Sequence, residues 1–256
     1  MGQADARLRR RPRRRQPRGP RGPGVSDPSP PVRDAATLIL MRDPGGDSPR
    51  VLMGQRGAAA AFMPNKFVFP GGAVDACDAS VAVSGAETAP LGERLSAAAA
   101  PGAASALLAC AIRELWEETG LILGQPGTWD GPAPADWASF AATGHIPSAA
   151  GVSFVFRART PLGRPRRFDA RFLLVDAGRI ANDPDDFSRA SDELSHLHWV
   201  PVSDARRYDL PFITQLVLAE VAARLPDLSP PETVPYFRND DEALHFERLG
   251  GASPLD

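Results

Sequence analysis

The sequence predicts an α/β chain of the α+β or mixed-sheet kind, a single domain interrupted by an inserted loop. Three observations lead there. Short apolar runs that read as strands outnumber helical patterns, hairpin connections mix with helices, and residues 79–105 sustain no period at all.

Residues 1–32 come first and read as a disordered tail. "RLRRRPRRRQPRGPRGPGVSDPSPP" is rich in Arg, Pro and Gly and has almost nothing to bury. It lacks the apolar core of a secretory signal, and its prolines break any amphipathic targeting helix. The domain is expected over residues 33–250. "DAATLILMRD" and "RVLMGQR" are strand-like runs joined by the turn residues "PGGDSP". "KFVFPGGAVD" is a short strand with a Gly-Gly break, followed by the Ala- and Gly-rich insertion with room for one short helix. From Ser105 a helix resumes, because Leu108, Ile112 and Leu115 fall on one face and Gly120 stops it. "GVSFVFRART", "RRFDARFLLVD" and "LSHLHWVPV" read as strands. "PFITQLVLAEVAARL" reads as a helix opened by Pro211 and closed before Pro226.

Composition narrows the function classes. Nine arginines against one acid give residues 1–22 a charge of about +8, so a net −2 leaves about −10 on the remainder. An acidic folded part does not favour polyanions, and nucleic acid is not an expected partner. The tail's arginines carry little information, since Lys66 is the only lysine in the chain. No apolar run approaches the roughly 18–20 residues that span a bilayer, so no membrane partner is expected. Cys77 and Cys110 stand in no ligand spacing. A reducing, cytoplasmic setting is therefore expected.

The chemistry concentrates in "RELWEETGL", Arg113 to Leu121. Glu114, Glu117 and Glu118 are i, i+3 and i+4 neighbours on one helix face, roughly opposite the Leu108–Ile112 stripe, where like charges repel. They also sit in the last turns, where the helix dipole disfavours anions. Arg113 offsets part of this by reaching Glu117 at i+4. The remaining carboxylates suit a hard divalent cation, Mg²⁺ or Mn²⁺, and no thiolate or histidine adjoins them to suggest zinc. A solvated acidic helix face is the alternative.

The surrounding residues decide between these. "RELWEETGL" resembles, position for position, the second half of the Nudix box, GX5EX7REUXEEXGU, where U is aliphatic. The first half is present in "FPGGAVDACD", with Gly72 leading five residues on to Asp78, where the family has Glu. The insertion then delays Arg113. A box split in this way resembles the subgroup of the peroxisomal coenzyme A diphosphatase, and "AAFMPNKFVFPGGAVDACD" and "TPLGRPRRFDARFLLV" point the same way. The C-terminal "SPLD" is not a peroxisomal address.

The resemblance implies a Nudix-type α/β/α sandwich around a mixed sheet and hydrolysis of a diphosphate joined to another moiety. It implies Glu117, Glu118, the Gly72 carbonyl, Glu114 and Asp78 as metal ligands, with Asp75 able to share the place of Asp78. Glu114, Glu118 and Glu193 are the catalytic candidates, Glu193 because it precedes "WVP". At the substrate end, Arg56 matches an arginine of bacterial coenzyme A pyrophosphatases. Arg164, Arg166 and Arg167 open a strand with guanidinium groups suited to phosphate, and Arg56, Arg166 and Arg167 are taken as substrate-binding. Phe168 and Phe172 are aromatic stacking candidates, and His196 and His198 alternate along one strand. The expected partner is a small nucleotide diphosphate such as coenzyme A or an acyl-coenzyme A, and a homodimer is compatible with this reading. Two alternatives stay open: a Nudix module that binds nucleotide without hydrolysis, and an RNA-associated hydrolase that uses the basic tail.

Overall fold

A computed structural model describes residues 30–60, 62–86, 91–96, 102–238 and 245–250. Residues 1–29, most of the expected tail, lie outside the described residues, as do 87–90 and 97–101 of the insertion.

Strand β1 (Val32–Arg42) begins where the arginine-rich stretch ends, and a turn leads to the antiparallel β2 (Arg50–Arg56). "KFVFPGGAVD" divides into β3 (Phe67–Val68), which pairs with β2, and β4 (Gly71–Ala73), which pairs with the start of β1. The insertion contains a short helix, α1 (Leu91–Ser96). Its Leu91 and Leu95 enter the core, and Arg94 binds the carbonyls of Pro231 and Glu232. Helix α2 (Ala103–Thr119) follows and stops at Gly120, whose left-handed φ of 74° closes the last turn on the Trp116 carbonyl.

A small pair, β5 (Gly124–Pro126) and β6 (His145–Pro147), brackets the short α3 (Ala138–Ala141). Then come β7 (Ser153–Arg159), β8 (Arg167–Asp176), β9 (Leu194–Pro201), α4 (Phe212–Arg224), β10 (Val234–Arg238) and β11 (His245–Leu249). Among the described residues nine strands form one mixed sheet, ordered β11-β10-β7-β8-β1-β2-β3, with β4 beside β1 and β9 beside β2. Its axis is the parallel pair β1–β8, in register from Val32↔Arg167 to Met41↔Asp176.

Both faces of that axis are buried, so its strands are apolar on consecutive residues rather than on alternate ones. Leu38, Leu40, Leu173 and Val175 meet α2 and the insertion on one side. Ile39, Met41, Leu174 and Val200 meet α4 on the other. This is the layered mixed-sheet α/β class expected from the sequence. Among the described residues no helix is long and apolar enough to cross a membrane.

On the α2 side, near the start of β1, the sheet face turns polar. Arg157 grips Asp169 through Nε (2.8 Å) and Nη2 (2.7 Å) and lies 4.4 Å from the centre of the Tyr236 ring. Arg171 bonds Asp34 and the Asp169 carbonyl. These ion pairs tie β1, β7 and β8 together where the apolar core gives out.

Candidate active site

Helix α2 lies along β4, and the Gly-Gly break allows that approach. A Cβ on Gly71 would sit 2.5 Å from the Ala36 carbonyl oxygen, and one on Gly72 would sit 2.5 Å from Glu114 Oε2. Glu114 and Glu118 on this face of α2 are therefore packed against backbone rather than turned to water. Glu118 is 2% exposed and accepts a hydrogen bond from the Gly71 N–H at 2.8 Å.

Arg113 organises the cluster. Only 4% of its side chain is exposed. Nε donates to Asp78 Oδ1 at 2.9 Å and Nη2 to Asp78 Oδ2 at 3.0 Å. Nη2 also donates to the Ala73 carbonyl at 3.2 Å. Nη1 divides between Glu114 Oε1 (3.0 Å) and Glu117 Oε2 (2.9 Å), so the i+4 pair expected from the sequence is present. Burial alone would lower the pKa of this guanidinium. The hydrogen-bonded Asp78 and the charge of Glu114 outweigh burial and hold it firmly protonated.

One guanidinium does not neutralise so many acids. Burial pushes Glu114 up to about 7, against the pull of Arg113 and with help from Glu117 and Glu193. Burial, then the charge of Glu114, raises Glu118 well above the ordinary carboxylate range. Glu117 is raised too, mainly by burial, although 38% of its side chain is exposed. Desolvated carboxylates with too little positive charge are the electrostatic signature of a functional site.

Asp78 is placed differently from the expectation. It has no exposed surface, Arg113 binds both its oxygens, and Oδ2 also accepts from the Asp75 N–H at 2.9 Å. It therefore anchors Arg113. Being one methylene shorter than Glu suits a carboxylate that must meet the guanidinium at close quarters.

Arg56 and Glu193 arrive from a second direction. Arg56 ends β2 opposite Leu194, the residue after Glu193. The segment before Glu193 docks on the end of α2, where the Ser191 N–H donates to the Glu117 carbonyl at 3.0 Å. Glu193 is exposed, yet close enough to raise Glu114 and Glu118, while Arg56 lowers Glu118. The buried Nε of Arg56 has no hydrogen-bond partner. Asp136, which sequence reasoning missed, adds negative charge beside Glu117 and accepts a bond from Cys77 at 3.3 Å. Nothing in its Trp- and Ala-rich surroundings signals this position.

Arg166 and Arg167 are not brought to the glutamates. Arg167 is opposite Val32 on the β8 side of β1, whereas Gly72 is opposite Ala36 on the other side of that strand. Phe172 is buried core, whereas Phe168 stays half-buried with its ring edge-on to Phe62 at 5.3 Å. His198 bonds Tyr208 Oη (2.9 Å) and the His196 carbonyl (2.6 Å) rather than a second imidazole.

Among the described residues no three His, Cys, Asp or Glu side chains are gathered into a ready-made metal cage. The donor set nevertheless fits a hard divalent cation. It consists only of oxygens, its carboxylates outnumber the guanidinium that neutralises them, and the bare Gly72 leaves room for the Glu114 carboxylate against the chain.

A mixed sheet between helical layers, with a helix-borne glutamate cluster beside a Gly-Gly strand, defines the class to which this chain is assigned. Residues 32–221 match the NUDIX domain, and the chain belongs to that family. It is 29% identical over 200 residues to a putative nudix hydrolase 7 of Caenorhabditis elegans, a match covering 70% of this chain and 57% of that protein. It is 32% identical over 143 residues to the acyl-coenzyme A diphosphatase NUDT19 of Gallus gallus, covering 40% of this chain and 36% of that protein. The chain thus spans about half the length or less of these curated relatives. A crystal structure of a NUDIX hydrolase from Alicyclobacillus acidocaldarius superposes with a TM-score of 0.55 at 26% identity, over 76% of this chain and 92% of that one.

Proposed function

We propose that this chain is a divalent-cation-dependent hydrolase of the diphosphate bond in a nucleoside diphosphate conjugate, with coenzyme A and acyl-coenzyme A as the leading substrate class. The observation that carries the reaction is the excess of desolvated carboxylate around one guanidinium. The substrate class is supported by the partial similarity to an acyl-coenzyme A diphosphatase and by the split motif.

Glu117, Glu118, Glu114 and the Gly72 carbonyl would hold Mg²⁺ or Mn²⁺. Such an ion supplies positive charge to phosphate oxygens and makes a bound water acidic. The chain's own groups do the rest. Arg113, pinned by Asp78, fixes the rotamers of Glu114 and Glu117 and keeps their mutual repulsion tolerable. Arg56, at the end of β2 and electrostatically close to Glu118, faces an incoming phosphate with a guanidinium that has spare donors. Glu193 is the general base of this reading: it is exposed, carried on a segment docked to α2, and able to receive a proton from water over the glutamates. Glu114, poised near neutral pH, is the second choice. A nucleotide-binding module without hydrolysis is the competing function.

The test is hydrolysis of coenzyme A, acyl-coenzyme A, NADH, ADP-ribose and diadenosine polyphosphates with Mg²⁺ or Mn²⁺, comparing wild type with Glu118→Gln and Glu193→Gln. Glu118→Gln should lower turnover by more than about 100-fold, and Glu193→Gln should lower kcat by roughly 10²–10⁴-fold. Nucleotide binding without turnover of any substrate would instead establish the binding module.

A further inference from the structure

Arg167 stands apart from the other buried cations of the sheet. It is 7% exposed, and its Nε makes one long bond, to the Thr160 carbonyl at 3.4 Å. Among the described residues no carboxylate pairs with it. Asp169, two residues along the same strand face, is taken by Arg157 and Arg171. Its terminal nitrogens reach the surface without a protein partner among the described residues, so the guanidinium is largely enclosed yet keeps donors free for an anion from solution. Arg164 and Arg166 lie on the same hairpin, both exposed and both without an acid partner among the described residues. Three guanidinium groups within four residues therefore share one end of the sheet with no carboxylate assigned to them.

This end is distant from the glutamates. Arg167 is opposite Val32 on one side of β1, and Gly72 is opposite Ala36 on the other. Four residues of strand are about 13 Å, and two strand spacings add about 10 Å across. A single diphosphate does not span that separation, so an anion at Arg167 is a different group from the one being cleaved. The planar fork of arginine, one nitrogen of which is fixed by Thr160, favours bidentate binding of a compact tetrahedral oxyanion.

We propose that Arg167, with Arg164 and Arg166 beside it, forms a binding site for a phosphate dianion separate from the glutamate cluster. The phosphate is either a remote monoester carried by the substrate or free inorganic phosphate. The first source rests on the hydrolase reading above, and the second does not.

The test is calorimetric titration of the purified full chain with inorganic phosphate in EDTA, with chloride at matched ionic strength as the control. Wild type should bind one phosphate saturably. Arg167→Gln should weaken binding by roughly 10- to 100-fold, and Glu118→Gln should leave it unchanged. Should Arg167→Gln not fold, the exposed Arg164→Ala/Arg166→Ala pair, which threatens no core, should weaken binding several-fold. Absence of saturable binding to wild type, or binding lost in Glu118→Gln and kept in Arg167→Gln, overturns the site. A second arm compares KM for coenzyme A and its 3′-dephospho form. A KM gap that Arg167→Gln erases places the substrate's phosphate here; equal KM values with the phosphate isotherm intact place free phosphate here. Failure of all turnover would defeat the hydrolase reading and leave the isotherm to decide this one.

Discussion

In metal-free buffer, Glu114→Gln should make the protein more stable at pH 8 and change it little at pH 5. Burial pushes the Glu114 carboxyl from its ordinary 4.5 up to about 7. A carboxyl whose folded-state pKa is raised binds its proton more tightly folded than unfolded. Its contribution is therefore favourable below pH 4.5 and is lost progressively as pH rises through about 7. At 1.36 kcal/mol for each pKa unit, the ionised group costs the folded state about 3 kcal/mol at pH 8. Glutamine removes that charge and keeps an amide oxygen to accept from Arg113 Nη1, where Glu114 accepts at 3.0 Å. It gives up the charge attraction to Arg113, so the net gain should be about 1–3 kcal/mol. The assay is urea unfolding in EDTA followed by tryptophan fluorescence, for both proteins at both pH values. A variant less stable than wild type at pH 8, or a difference that ignores pH, would refute the reasoning that a desolvated, under-neutralised carboxylate sits here. Adding Mg²⁺ at pH 8 should reverse the order by stabilising wild type.

Two further predictions test how the site is held. Gly72→Ala places a methyl 2.5 Å from Glu114 Oε2, so the carboxylate must move. Turnover should fall more than about tenfold for a stability cost of about 1–3 kcal/mol, read from kcat and urea midpoints, and unchanged turnover would show that Glu114 needs no fixed place. Asp78→Ala removes the carboxylate that Arg113 Nε and Nη2 share and leaves Nη2 with the Ala73 carbonyl. Arg113 keeps Glu114 and Glu117 on Nη1, so the lost charge-assisted hydrogen bonds should cost about 2–4 kcal/mol, and a loss under about 1 kcal/mol would mean that water takes over the role of Asp78.

The sequence made the scaffold of the site legible because α2, β1, β2, β8 and α4 each carry a run long enough for a period or a cap to show. The helix stripe of Leu108, Ile112 and Leu115 is buried, and Gly120 stops the helix where its left-handed conformation is needed. Other features were hidden for physical reasons. β10 and β11 are five residues each, and Pro235 inside "VPYFR" argues locally against a strand. The burial of the glutamate face was hidden because helix periodicity reports only the apolar stripe. Its burial comes from β4, a three-residue strand with no side chain at its first two positions. The ion pairs of Arg157, Asp169 and Arg171 did leave a trace, since these charges recur at every second residue of their strands. That pattern is easily taken for a solvated face. The role of Asp78 was not readable, because which partner a carboxylate meets depends on a contact across 35 residues of chain.

The parallel pairing of β1 with β8 also has a consequence for how the chain is made. From Val32↔Arg167 to Met41↔Asp176, each residue of β1 meets a partner 135 positions later. At about 5–20 residues per second on the ribosome, β1 waits roughly 7–27 s for its central neighbour to be synthesised. During that interval β2 and β4 can cover one edge and α2 one face of the segment from Leu38 to Met41, fully interior in the finished protein, while the edge that β8 will occupy stays open. The unpaired β8 edge of β1 is therefore exposed to aggregation during translation, before its central neighbour exists.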